Sequence, residues 1–93
     1  MSRLVLSRNL HQSVRIGPDF FVTYFDIDAT GALLRCTGGV TVRLPHCEPR
    51  EVMPGVAITF CGKNSKTQIR LAFEAPQEVV ILRTELLNRR AVK

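Results

Sequence analysis

Three arginines stand where short apolar segments end or turn outward: Arg8 at the end of RLVLSR, Arg70 within QIRLAF, and Arg83 directly after VVIL. A guanidinium stays charged and offers a planar fork of donors. It can therefore bind a phosphate or a purine edge through two parallel hydrogen bonds, which the ammonium of lysine cannot do. Around these cations lie Leu6, Val79, Ile81 and the Ala75-Pro76 pair, apolar positions that suit a dry floor beside a cationic edge. Each also has an ordinary use. Leu6, Val79 and Ile81 are typical core residues of a β domain, Pro76 is a turn former, and arginines at strand ends are often only solvated.

Other reactive residues make weaker sets. Cys36, Cys47 and Cys61 are odd in number and show no C-x-x-C spacing, which argues against a disulfide framework and fits a reducing compartment. His46 beside Cys47 matches no usual zinc pairing and His11 is distant, so the cysteines read as buried and inert, with no metal or other cofactor expected. There is no G-x-S-x-G, and no cysteine has a base and orienting group at a recognisable spacing, so no enzyme activity is expected. Asp26-Ile27-Asp28-Ala29-Thr30-Gly31 is similar to the D-x-S-x-x-G turn of PilZ second-messenger domains, but aspartate stands in the serine position and the arginine motif upstream is missing. Binding of a cyclic dinucleotide is therefore not expected.

Ninety-three residues with 45% hydrophobic and 23% charged side chains suit one domain with a modest core. The net charge of +5 is spread along the chain, which favours a polyanionic partner, nucleic acid first, over solubility alone. No segment approaches membrane-spanning length and no leader-like apolar core stands at the N-terminus, so a cytoplasmic location is expected.

The elements that must hold the arginines are strands. Arg3–Arg8, Ser13–Ile16, Phe20–Ile27, Ala32–Cys36, Val40–Leu44, Val56–Cys61, Gln68–Phe73 and Val79–Leu82 are alternating or β-branched runs. They are separated by turn signals at Gly17-Pro18-Asp19, Asp28–Gly31, Gly38-Gly39, Gly62–Lys66 and Ala75-Pro76. Three prolines mark Pro45–Gly55 as irregular. Thr84–Arg90 predicts a short C-terminal helix, with Thr84 as its cap and Arg89 and Arg90 at the negative end of its dipole. One internal echo stands out: Gly17-Pro18-Asp19 before FFVTYF resembles Pro54-Gly55 before VAITFC, and each run leads through a polar turn into ALLR or QIRL. It is either a duplicated hairpin or two hairpins that look alike.

Two blocks of the chain together resemble the carbon storage regulator (CsrA/RsmA) family of bacterial RNA-binding translational regulators. Leu4-Val5-Leu6-Ser7-Arg8 and Ser13-Val14-Arg15-Ile16-Gly17-Pro18-Asp19 match its N-terminal pattern. Gln68-Ile69-Arg70-Leu71, Ala75-Pro76-Gln77-Glu78-Val79 and Arg83-Thr84-Glu85-Leu86 match its C-terminal pattern. His11, Gln12 and Leu82 depart from the usual residues, and about three dozen positions, approximately 20–55, stand as an insertion after the second strand. The β-prone content of the insertion suggests an added hairpin.

The resemblance implies a mostly β domain: a small antiparallel sheet in an interleaved homodimer, with one short C-terminal helix. It further implies a non-enzymatic post-transcriptional regulator. Such a protein binds GGA motifs in RNA hairpin loops of messenger 5′ leaders, is titrated by small regulatory RNAs, and controls translation or message stability. The RNA-binding positions implied are Leu6, Arg8, Arg70, Ala75, Pro76, Val79, Ile81 and Arg83. A single-stranded loop exposes base edges that an extended backbone can read, so strand edges suit the task. The alternative is a protein-interaction or antagonist module that binds a partner protein or ordinary family members.

Overall fold

The structure, a computed structural model, describes residues 2–83. Among them are nine strands: β1 Ser2–Asn9, β2 Ser13–Ile16, β3 Phe20–Asp28, β4 Gly31–Cys36, β5 Val40–Leu44, β6 Arg50–Met53, β7 Val56–Lys63, β8 Gln68–Ala75 and β9 Ile81–Arg83. They form two antiparallel sheets, one in the order β1-β8-β7-β6 and the other β5-β4-β3-β2-β9. The domain is mostly β, as the alternation of its side chains requires. The helix expected at Thr84–Arg90 lies outside the described residues.

One core fills the space between the sheets. Alternate residues point inward: Leu6 from β1, Val14 and Ile16 from β2, Val22 and Tyr24 from β3, Ala32, Leu34 and Cys36 from β4, and Leu44 from β5. The sheet that faces β2–β5, to which β1 with Leu6 belongs, further supplies Val56, Ile58 and Phe60 from β7 and Ile69, Leu71, Phe73 and Ala75 from β8. Burying each large apolar side chain contributes about 1.5–3 kcal/mol. In a chain this short, the pairing of the two sheets is therefore what makes folding favourable.

The strands depart from the sequence reading in three places. Pro45–Gly55, expected to be irregular, contains β6. Prolines 49 and 54 flank that strand, and it pairs with β7 alone, so neither proline breaks a ladder. The stretch 20–55, expected to add a hairpin, holds four strands, β3 to β6. The last of the described strands is Ile81–Arg83, because Val79 N donates to Pro76 O at 3.0 Å and closes a turn across the preceding residues.

The β3–β4 turn is built by Asp28. Its Oδ1 accepts from Thr30 N at 2.8 Å, Thr30 Oγ1 at 2.7 Å and Gly31 N at 3.1 Å, while its Oδ2 pairs with Arg43 Nη1 at 2.7 Å. Gly31 adopts φ 151°, and a Cβ there would overlap the carbonyl oxygen of Leu44. Only glycine lets β4 begin this close to β5. Gly31→Ala should therefore cost roughly 3 kcal/mol in urea unfolding.

The Arg43 guanidinium, with the hydroxyl and amide of Thr30, holds the Asp28 carboxyl well below its ordinary value of 3.8. A lowered folded-state value means that the carboxylate stabilises the fold above the ordinary value and loses that contribution as pH falls below it. The gap in Tm between the native chain and Asp28→Asn should accordingly stay constant from about pH 8 to 6 and narrow below about pH 4.

Candidate nucleic-acid interface

β1 passes into β2 through Leu10–Gln12, and β9 lies against the outer side of β2. Among the described residues, β1 stands at the edge of one sheet and β9 at the edge of the other.

Arg8 points inward and is 3% exposed. Its Nε donates to Ser7 O at 2.7 Å and its Nη1 to Ser13 O at 3.1 Å. The guanidinium thus ties the end of β1 to the start of β2. The residue after Ser13, Val14, is the cross-strand partner of Arg83, and antiparallel partners lie about 4.5–5.5 Å apart at Cα. Arg83 itself is exposed. The buried arginine therefore fastens the corner on which the exposed one is mounted.

At the other end of β2, Gly17 N donates to Val80 O at 2.7 Å, which continues the β2–β9 pairing beyond Ile16–Ile81. Val79 and Ile81 are half-buried against the core, and Pro76 is half-buried in the turn. Leu6 and Ala75 are core residues, 6% and 1% exposed, so their side chains face inward; Ala75 lies on the interior strand β8, opposite Ser2 at the far end of β1 from Arg8. Arg70 stands beside the same end of β1 as Arg8, but on the opposite face of its sheet from Arg8. It lies on the outer face of the β1-β8-β7-β6 sheet opposite Ser7, where its Nη2 donates to Asn64 Oδ1 at 3.0 Å. Asn64 in turn donates to Ser7 Oγ and Gln68 Oε1, completing a polar cluster beside the end of β1.

Sequence reasoning missed a row that runs outward from β9. Leu82 faces Arg15, and Arg15 faces Phe21, which is 40% exposed. These three share the outer face of the second sheet, whereas Arg83, opposite the buried Val14, has the other parity of β9. Further along that face, the Arg35 guanidinium sits 4.9 Å over the ring of Phe25. Arginines and phenylalanines side by side on one face can accept both phosphate charge and a base plane. The signal was the parity of Ser13–Ile16, which places Arg15 opposite the buried Val14 and Ile16.

The cysteines correct the expectation of uniform burial. Cys36 is buried, and that burial pushes its thiol above the ordinary value. Cys61 is half-buried and Cys47 is exposed, with Cys47 Sγ 3.6 Å from His46 Nε2. Among the described residues no three His, Cys, Asp or Glu side chains converge as metal ligands, and no pocket opens. No described helix is long and apolar enough to cross a membrane.

The two arginines differ in what they hold, so they should differ in unfolding experiments. Arg8→Ala leaves the carbonyls of Ser7 and Ser13 without this donor and should cost about 1–3 kcal/mol. Arg83→Ala on the surface should stay within about 0.5 kcal/mol. Comparison with protein-family models, with curated proteins and with solved structures finds no match for this chain.

Proposed function

We propose that this protein is a non-enzymatic, cytoplasmic, sequence-specific RNA-binding regulator that takes a GGA-containing hairpin loop on the side bordered by β1 and β9. It would act on messenger 5′ leaders to control translation or message lifetime, and small RNAs carrying such loops would compete for it. The observation that supports the reading is that Arg8 and Arg83 address neighbouring residues of β2: the buried guanidinium reaches Ser13 O, and the exposed arginine stands opposite Val14. A single-stranded loop presents unstacked base edges, and β1 and β9, each unpaired on one side among the described residues, present backbone donors and acceptors in extended conformation. Arg83 then supplies a forked contact to phosphate or guanine. The Leu82–Arg15–Phe21 row offers a continuation for the flanking nucleotides, and the net charge of +5 supports a salt-dependent affinity.

A second reading, a protein-interaction module, is favoured by one observation: β6 pairs only with β7, so its outer edge is open to strand addition among the described residues. A protein partner would survive RNase treatment in a pull-down, whereas a complex bridged by RNA would not.

Titration of a GGA-loop hairpin beside one with a CCA loop tests the first reading. Arg83→Ala should weaken GGA binding by about 1–3 kcal/mol and flatten its salt dependence by about one charge. Unchanged affinity in the folded variant, or equal affinity for the two loops, removes it.

A further inference from the structure

We infer that the chain is a tandem repeat whose two copies trade their first strands, so that one polypeptide closes both sheets by itself and carries a single arginine-bearing edge. Pairing registers recur at a fixed displacement. Val14 pairs with Val22 and Arg15 with Phe21; 36 positions later, Arg50 pairs with Ile58 and Glu51 with Ala57. Tyr24 pairs with Leu34 and Val22 with Cys36. Their counterparts are Phe60 with Leu71 and Ile58 with Phe73, the second member displaced by 37 because that loop is one residue longer. The register slips just after Tyr24 and just after Phe60, the same place in each copy.

The connections repeat as closely as the strands. His11, at φ 72°, and Cys47, at φ 63°, are the non-glycine residues with positive φ among those described, again 36 apart. His11 N donates to Tyr24 O at 2.6 Å and Cys47 N to Phe60 O at 2.8 Å. Gln12 N donates to Asn9 O as Glu48 N donates to Pro45 O. Two unrelated hairpins have no reason to share a register slip, a strained connecting residue and the hydrogen bonds of that connection. A left-handed histidine or cysteine is costly enough that chance would not set it twice at one spacing.

The first strands then show the exchange. β1 belongs to the first copy but pairs with β8 of the second, Leu6 opposite Leu71 and Arg8 opposite Ile69. β5 belongs to the second copy but pairs with β4 of the first, Val42 opposite Leu34 and Leu44 opposite Ala32. The resemblance implies such interleaving between two chains; here it is complete within one.

The copies have diverged at the two edges. Where the first has Arg8, the second has the fully buried Leu44. The β2 edge is covered by β9 with its Arg83, whereas among the described residues no strand covers the β6 edge, whose Arg50 lies 3.6 Å from Glu48. Resting on the RNA reading above, this asymmetry assigns one RNA loop to each chain, at the β1/β9 side.

Native mass spectrometry of the full chain at low micromolar concentration, alone and with the GGA-loop hairpin, tests both parts. The expected result is a 10.4 kDa species that takes up one RNA. Arg83→Ala should lose about tenfold or more in affinity, and Arg50→Ala should stay within about twofold. A two-chain mass overturns the internal closure. Two RNAs per chain, or an equal loss in Arg50→Ala, overturns the single edge. A one-chain mass with no RNA bound leaves the repeat standing and removes the RNA reading together with the single-site assignment.

Discussion

Leu6 and Leu71 stand opposite one another although almost the whole described chain separates them, and the rest of the structure depends on that pairing of β1 with β8. Closing so long a loop has an entropic cost that grows only slowly with its length. The cost is met because eight residue pairs form at once and Ile69, Leu71 and Phe73 become fully or almost fully buried. Without β1, β8 would be the bare edge of a small sheet with half its core exposed. β5 does the same for β4, from the opposite direction along the chain. Each half of the molecule is therefore finished by a strand of the other, and neither sheet is made from one continuous segment.

This arrangement explains why a cation is buried. The inward parity of β1 carries Leu4, Leu6 and Arg8, and the last of these reaches the corner where the chain crosses from one sheet to the other. At that corner the strands diverge and their carbonyls need donors. A guanidinium, with several donors on a long stem, reaches the carbonyls of both Ser7 and Ser13. At the equivalent corner of the second copy, Leu44 fills the space instead and the imidazole of His46 packs edge-on against Phe60, 5.6 Å between centroids. The two corners have the same backbone and different chemistry, so the two sides of a repeated fold are no longer equivalent.

Much of the fold was legible in the residues. Alternation in Gln68–Phe73 put Ile69, Leu71 and Phe73 on one face, and these are core residues. The turns at Gly17, Gly31 and Gly38-Gly39 lie where glycine was read as a turn signal. β6 was hidden by its flanking prolines, which are harmless on an edge strand. Of the candidate site, Arg83 at the end of the last strand was legible and is exposed, and Leu6 and Ala75 were legible as apolar but not as inward-facing. Arg15, Phe21 and Leu82 were read as strand residues only, because the strand that aligns them with Arg83 is distant in sequence.

By itself the amino-acid sequence determined the periods: which residues alternate, where the backbone must turn, and that one stretch near the middle echoes an earlier one. These are local properties, set by side-chain size, β-branching and the freedom of glycine. Only the tertiary structure decided which strands pair. Pairing depends on burying one copy's apolar face against the other's, and no local pattern states that β1 belongs beside β8 rather than beside its own neighbours. The same long-range choice buried Arg8 and left Arg83 exposed, because whether a charge is buried follows from what the rest of the chain places over it.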